Sequence, residues 1–394
     1  MRIKEVQGKI IEDSRGEKTI QVEIKTKFGT FFSSSPSGKS KGKHEKPYYI
    51  NSIEEDIKKL KDFSLSEIEI EKFSDLIEIE TLTRGKIGSN SLFALESSIL
   101  KALALENKKD VWQLINEKAR KFPFPVGNCI GGGLHTSGKK KPDFQEFLII
   151  PETKNFADNV FLMKKAYEIC KSRLNIRKAL GKLNDENAFS TTLDDEEVLD
   201  VLNKTREELE QETGKKIEIG VDIAASTFFT GLIYNYKNPV KRLKVKEQEN
   251  YVKSLIENFR LGYIEDAFDE ENFESFSRLR KEIVKERSCL IVGDDLIVSQ
   301  LNRLKKALIK RSVNAIIVKP NQVGSLIEIK KLVDLAKKYE LACVMSHRSG
   351  ETLDYIIADL AFGFSCDFVK FGILGKEREV KLNRLIEIEK TLGI

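Results

Sequence analysis

The chain has 394 residues, 40% hydrophobic, 33% charged and 8% aromatic, with 67 Lys+Arg against 62 Asp+Glu and a formal net charge of +5. That apolar content suffices for a packed core and excludes wholesale disorder, while no apolar run approaches the roughly 18 residues of a membrane-spanning helix. A small positive excess spread over so many ions does not announce nucleic acid, and the alternating charged and apolar residues of the N-terminus, MRIKEVQGKI, are unlike a signal peptide.

In chain order, the first elements read as a β-meander. Residues 3–11 alternate, Asp13-Ser14-Arg15-Gly16 turns, residues 19–24 alternate again, Lys27-Phe28-Gly29 turns and residues 30–33 continue. A loop rich in Ser, Gly and Lys spans 34–44, after which helical periodicity takes over. Its clearest case is 91–106, where Leu92, Leu95, Ile99, Ala102 and Leu103 form one stripe suited to core packing. Lys121-Phe122-Pro123-Phe124-Pro125 breaks the pattern and divides an α+β domain, residues 1–122, from a second domain, residues 123–394.

The second domain has a different grammar. Short apolar runs at 147–150, 217–221, 262–264, 289–292, 315–318, 342–345 and 368–369 alternate with amphipathic stretches, among them 299–313, 325–340 and 353–364. Strand alternating with helix predicts βα units and a largely parallel sheet. Most of the runs close on a functional residue type: Asp222, Glu265, Asp294, Lys319, His347 and Lys370, spaced at roughly one βα unit of chain. In a (β/α)8 barrel the C-terminal strand ends converge on one site. A flat doubly wound sheet would usually carry a Gly-rich phosphate turn after its first strand, and neither such fingerprint occurs.

At barrel spacing, Asp222, Glu265 and Asp294 read as an all-oxygen cage for a hard divalent ion, magnesium rather than zinc, because no His or Cys adjoins them. Lys319 closes NAIIVK and is a candidate base if desolvated, the competing reading being a lysine paired structurally to a carboxylate. Lys370 suits a substrate carboxylate or phosphate. Ser346-His347-Arg348-Ser349-Gly350-Glu351-Thr352 offers a guanidinium and hydroxyls for an anion. Gln145-Glu146 and Asp185-Glu186 place paired polar and acidic groups in loops, which spacing alone reads as surface charge before it reads as a proton donor. Five scattered cysteines without a C-x-x-C point to a reduced, cytoplasmic protein lacking structural zinc. The combination suits removal of a proton beside a carboxylate.

These motifs, nearly end to end, resemble the enolase family. Asp13-Ser-Arg-Gly16 is similar to its DSRG, PSGKSKGKHE (36–45) to its mobile PSGASTGxHE loop, and IGSNSLFALESSILKALA to its LGANAxLxxSxAxxxAxA helix. Gln145-Glu146-Phe147, VGDDL, VKPNQVGS, SHRSGET and KLNRLIEIE follow in the family's order. The resemblance implies an N-terminal α+β domain and an atypical barrel that opens ββαα, and the reversible dehydration of 2-phospho-D-glycerate to phosphoenolpyruvate in glycolysis and gluconeogenesis. It further implies Asp222, Glu265 and Asp294 as ligands of a structural magnesium, with Ser40 closing over a second ion that arrives with substrate. Lys319 would take the proton from carbon 2, and Glu186 would protonate the leaving hydroxyl with Glu146 and His347 beside it. Arg348, Ser349 and His135 would bind phosphate; Lys370 would bind the substrate carboxylate, with Gln145 in the substrate site. A homodimer or larger homo-oligomer is also implied.

The chain departs from the family in places. Lys39 and Lys41 flank Ser40 where Ala and Thr are usual, which is expected to weaken the second magnesium. The family's GDEGG is here Asn184-Asp-Glu-Asn-Ala188, without its bending glycines. Residues 135–146 include Lys139, Lys140 and Lys141 and run longer than usual, and Gly372-Ile-Leu-Gly375 replaces a G-A-P run. These changes fit a divergent branch, archaeal members among its candidates. They leave two alternatives to weigh: a lyase of the same superfamily with a different phospho-carboxylate substrate, and a non-catalytic binding protein on the same body.

Overall fold

A computed structural model describes residues 1–39, 42–286 and 288–393. The chain opens with β1 (Glu5–Glu12), β2 (Lys18–Thr26) and β3 (Gly29–Ser34), an antiparallel meander paired in that order. The alternation in β2 puts Ile20, Val22 and Ile24 into the core. Four helices follow: α1 (Ile53–Asp62), α2 (Leu76–Thr83), α3 (Ser89–Glu106) and α4 (Val111–Asn116). Ser52 caps α1 by accepting from the Glu55 amide. The sequence predicts one apolar stripe on α3, but the helix is buried on most of its circumference, Glu96, Ser97 and Ser98 included. It lies against β2 and β3 on one side and α2, α4 and the 320–322 turn on others. Its small polar residues permit that close approach, and Ser98 Oγ donates to the Ala94 and Val22 carbonyls, both at 2.8 Å.

The second region begins with β4 (Phe124–Pro125) and β5 (Gly127–Gly131), then β6 (Glu146–Glu152), α5 (Phe156–Ile176), a hairpin of β7 (Leu180–Leu183) and β8 (Phe189–Thr191), α6 (Asp195–Thr213) and β9 (Lys216–Asp222). A second hairpin, β10 (Ile233–Lys237) with β11 (Val240–Lys244), leads to α7 (Val245–Phe259). Regular alternation then runs β12 (Tyr263–Glu265), α8 (Phe273–Glu286), β13 (Leu290–Gly293), α9 (Leu301–Lys310), β14 (Ala315–Val318), α10 (Leu326–Lys338), β15 (Ala342–Ser346), α11 (Ile356–Gly363), β16 (Phe368–Lys370) and α12 (Lys376–Leu392).

β4 and β5 are two halves of one stave interrupted at Val126, whose amide donates to the Val369 carbonyl at 2.8 Å. The first half pairs with β16 and the second with β6, so the sheet closes on itself. The eight staves are β4/β5, β6, β9, β12, β13, β14, β15 and β16. All neighbours are parallel except at β6, which runs against both β5 and β9. The order of elements is thus ββαα followed by six βα units. Inside, Val126, Leu148, Ile150, Tyr263, Val292, Ala315, Ile317 and Val344 fill the barrel with β-branched, aliphatic and aromatic side chains. The expected α/β class, an N-terminal α+β part followed by an enolase-type barrel, is the observed architecture.

The meander end packs onto the barrel mouth through polar contacts. Ser14 and Ser37 donate their amides to the Glu351 and Gly350 carbonyls, each at 2.8 Å, and Asn321 Nδ2 donates to the Pro36 carbonyl at 3.2 Å. Two motifs far apart in sequence, Asp13-Ser-Arg-Gly16 and SHRSGET, meet here.

Candidate active site

The staves deliver their closing residues to one end of the barrel. Asp222, Glu265 and Lys370 are the last residues of β9, β12 and β16; Asp294, Lys319 and His347 lie one residue beyond β13, β14 and β15. Because β6 is reversed, Glu146 stands at its start yet reaches the same end, opposite Asp222 in the ladder. A single cleft is lined by His135, Gln145, Glu146, Glu186, Asp222, Asp294, Lys319, His347, Arg348, Ser349 and Lys370. Glu265 lies beneath it, fully buried. Of the residues singled out from sequence, Ser40 and Lys41 lie outside the described residues.

Lys370 is the hub of the floor. Its ammonium lies 3.0 Å from Glu146, 3.2 Å from Asp222 and 3.0 Å from Glu265. Burial alone would lower its pKa, but these carboxylates hold it well above the ordinary range. Burial and the neighbouring Asp222 push the Glu265 carboxyl well up, and burial raises Glu146 to about 8 despite Lys370. Lys319 forms an ion pair with Asp294 Oδ2. Its burial opposes the charge, yet Asp294 prevails and the lysine is held above its usual pKa. The structural-pairing reading of Lys319 is therefore realised in this state, and a base here has to be released from Asp294 first.

The site is short of positive charge. Asp294 Oδ1 is buried without a hydrogen-bond donor, and an acceptor-only oxygen so placed suits a cation. Asp266 accepts from the Asp294 amide at 3.0 Å and the Asp295 amide at 2.7 Å; burial and Asp295 drive its carboxyl far up, while burial and Asp294 raise Asp295 to about 7. Such surplus carboxylates, all oxygen donors, fit a hard divalent ion. Among the described residues, ligand atoms lie within 4.8 Å of one another in two sets, Asp266/Asp294/Asp295 and His135/Glu146/Glu186. The predicted trio Asp222, Glu265 and Asp294 is instead spread around the two ammonium groups, Lys370 between the first two and Lys319 on the third.

Glu186 sits on the β7–β8 turn, 4% exposed. The missing glycines are replaced by Asn187 at φ +61°, a left-handed conformation asparagine tolerates, while Asn184 Oδ1 accepts from the Glu186 and Ala188 amides at 2.9 and 3.0 Å. His135 Nδ1 lies 3.5 Å and His347 Nε2 3.7 Å from the two Glu186 oxygens. Burial lowers the pKa of both imidazoles. Gln145 Nε2 donates to Asp222 Oδ2 at 3.3 Å.

The described residues on either side of Ser40 and Lys41, 36–39 and 42–45, adjoin this cleft, with Gly38 in its lining. Gly38 packs so closely on Arg348 that a Cβ would fall 1.9 Å from Nη2. Ser349 Oγ accepts from the Lys39 amide at 2.8 Å, and Lys39 Nζ pairs with Asp185 at 2.6 Å. Glu45 chelates Arg348 at 2.9 and 3.1 Å. About 20 Å³ of open space remains in the cleft, room for roughly one water.

Sequence reasoning missed Glu45, Asp266, Asp295, Tyr263 (its hydroxyl donates to Glu265 at 2.6 Å) and the fully buried Arg378. It also missed Asp195, at the start of α6, which accepts from the Phe144 amide at 3.0 Å and so fixes the approach to Gln145 and Glu146. Burial raises Asp195 to about 8. The folded carboxyl keeps its proton to that pH, whereas an unfolded one releases it near pH 4. Stability therefore falls as pH rises from about 4 to 8, the native state binding the extra proton. Asp195→Asn, which keeps the acceptor, is expected to stabilise the protein by about 1–3 kcal/mol at pH 8 and little at pH 4. Urea unfolding at the two pH values checks this; equal effects at both would refute it.

The family model "Enolase, C-terminal TIM barrel domain" matches residues 119–394. Proteins named "Enolase" are similar along essentially the whole chain. The one from Methanocorpusculum labreanum is 36% identical, covering 98% of this chain and 99% of that protein. Those from Sulfurisphaera tokodaii and Archaeoglobus fulgidus are 34% and 33% identical, each covering 100% of this chain, and 97% and 98% of their own lengths.

Proposed function

The chain belongs to the enolase family, a lyase of the phosphopyruvate hydratase class, and from that premise we propose that it interconverts 2-phospho-D-glycerate and phosphoenolpyruvate with magnesium. The observation that carries the reading is the shared cleft: a lysine and a buried glutamate for proton transfer, with Arg348, Ser349 and Lys370 for the anionic ends of one small molecule.

Asp222, Glu265 and Asp294 would hold magnesium, which when bound supplies charge stabilisation to the carboxylate beside the reacting carbon. Ser40 would contribute to a second ion. Lys319 takes the proton from carbon 2, Glu186 donates one to the carbon 3 hydroxyl, and water departs as the carbon–carbon double bond forms. Glu146 and His347 flank that transfer. Arg348, Ser349 and His135 receive the phosphate, and Lys370 with Gln145 the carboxylate.

Appearance of phosphoenolpyruvate absorbance from 2-phosphoglycerate, abolished by chelation and restored by magnesium, tests the proposal. No magnesium-dependent signal from folded protein would defeat it. We further propose division into domains 1–122 and 123–394, a homodimer or larger homo-oligomer, and a cytoplasmic role in glycolysis and gluconeogenesis. The five buried free thiols support the reducing compartment.

Lys39, expected from sequence to repel a second ion, has its charge matched by Asp185. Because the pair is partly exposed, it contributes about 0.2–1 kcal/mol. Lys39→Ala is accordingly expected to raise KM about 2–5-fold, with a smaller change in the magnesium requirement. Steady-state titrations of substrate and metal decide; an altered metal requirement with unchanged KM would contradict this reading of the Lys39–Asp185 pair.

A further inference from the structure

Arg378 rises from the first turn of α12 into the wall of the cleft and is 1% exposed. Its Nη1 contacts His347 Nδ1 at 2.8 Å and donates to the Arg348 carbonyl at 2.7 Å. Its Nη2 donates to the Ser349 carbonyl at 2.8 Å and the Asp185 carbonyl at 3.3 Å. Two terminal nitrogens carry four hydrogens, and four acceptors face them.

A guanidinium has no lone pair to offer and keeps its proton throughout the working pH range. The imidazole nitrogen facing it must therefore be the unprotonated one. Turning the ring over would set a carbon against a buried N–H and leave that donor unmatched. A neutral ring with a bare Nδ1 carries its hydrogen on Nε2, the atom 3.7 Å from Glu186. Burial, with Arg378, Lys370, Lys381 and Lys319 nearby, disfavours a second proton on the ring. Gly372 completes the arrangement: a Cβ there would lie 3.1 Å from Arg378 Cδ and 3.3 Å from His347 Cε1.

We propose that Arg378 is a positioning residue that fixes His347 as the neutral Nε2–H tautomer, a hydrogen-bond donor aimed at Glu186. Its other three bonds tie the 348–349 backbone and the Glu186 turn to that same guanidinium. The wall of the cleft thus moves as one piece. Only the kinetic consequence of this rests on the dehydratase reading.

The chain has only three histidines, so nitrogen NMR of protein labelled in its imidazoles, with His347→Gln for assignment, reads the tautomer directly. His347 is expected to show a single Nε2–H form at neutral pH in the wild type. Arg378→Lys, whose ammonium also only donates, is expected to keep it. Arg378→Met is expected to mix the tautomers and lower kcat about 10–100-fold with KM little changed. An Nδ1–H or imidazolium signal for His347 in the wild type or in Arg378→Lys overturns the proposal. So does a folded Arg378→Met protein with one tautomer and full kcat. If Arg378→Met does not fold, the first two spectra decide. The expected spectra without turnover of 2-phosphoglycerate would refute the dehydratase reading and leave this one standing.

Discussion

Lys319→Ala is expected to lower kcat by about 10³-fold or more, equivalent to ~4 kcal/mol of barrier, in protein that still folds. The backbone around the lysine is fixed independently of its side chain: the Lys319 amide donates to Ser299 Oγ at 2.8 Å, and that hydroxyl donates to Gln322 Oε1 at 2.7 Å. The substitution therefore removes the amine without removing its support. In the structure the ammonium is committed to Asp294. It can act as a base only after losing a proton to become the neutral amine, which requires that carboxylate to engage other positive charge, so the wild type should lose activity on chelation even with substrate saturating. Exchange of the carbon 2 proton with deuterated solvent separates the roles. Lys319→Ala should abolish exchange, whereas Glu186→Gln should block loss of the hydroxyl and leave exchange measurable. Exchange persisting in Lys319→Ala would place the base elsewhere.

Lys370→Met should be the largest stability change at the site. The substitution strips Glu146, Asp222 and Glu265 of their common partner in a fully buried place. Leaving buried charges uncompensated costs about 3–5 kcal/mol. Carboxyls already raised by burial, Glu146 and Glu265, would answer by taking up protons, so the deficit should shrink as pH falls from 8 to 5. Magnesium should return part of it by binding the same oxygens. Denaturant unfolding at both pH values, with and without the ion, tests this; a deficit below about 1 kcal/mol at pH 8 would mean that Lys370 does not hold the floor together.

The barrel and the gathering of its strand-end residues into one cleft were legible in the sequence for a geometric reason. Parallel staves all end at one mouth, so a charged residue closing each apolar run announces both strand and site, as Asp222, Lys319 and Lys370 do. The apolar run alone did not reveal the reversal of β6, because Phe147–Ile150 is equally apolar in either direction; the ββαα opening was implied only by the family resemblance. Nor was the role of Arg378 legible: in KEREVKLNR it resembles any exposed helical charge, and only the packing of α12 beneath 348–349 buries it. Glu45, Asp266 and Asp295 were hidden similarly, in motifs whose neighbours drew attention first. The Asn184–Ala188 turn misled by its lost glycines, since asparagine can adopt the same left-handed conformation at position 187.

The reversal of β6 has a consequence for how such a molecule can change over time. A parallel stave leaves the catalytic end through a long crossover, but β5 and β6 are joined there by a simple return, residues 132–145. A return of this kind can lengthen without shifting the pairing on either side, and its closure entropy grows only slowly with length. Lys139, Lys140 and Lys141 occupy that stretch, where Lys141 Nζ ties back to the Gly133 carbonyl at 2.5 Å. The barrel thus offers one adjustable margin beside a fixed reaction centre, where selection can edit the entrance while the floor stays as it is.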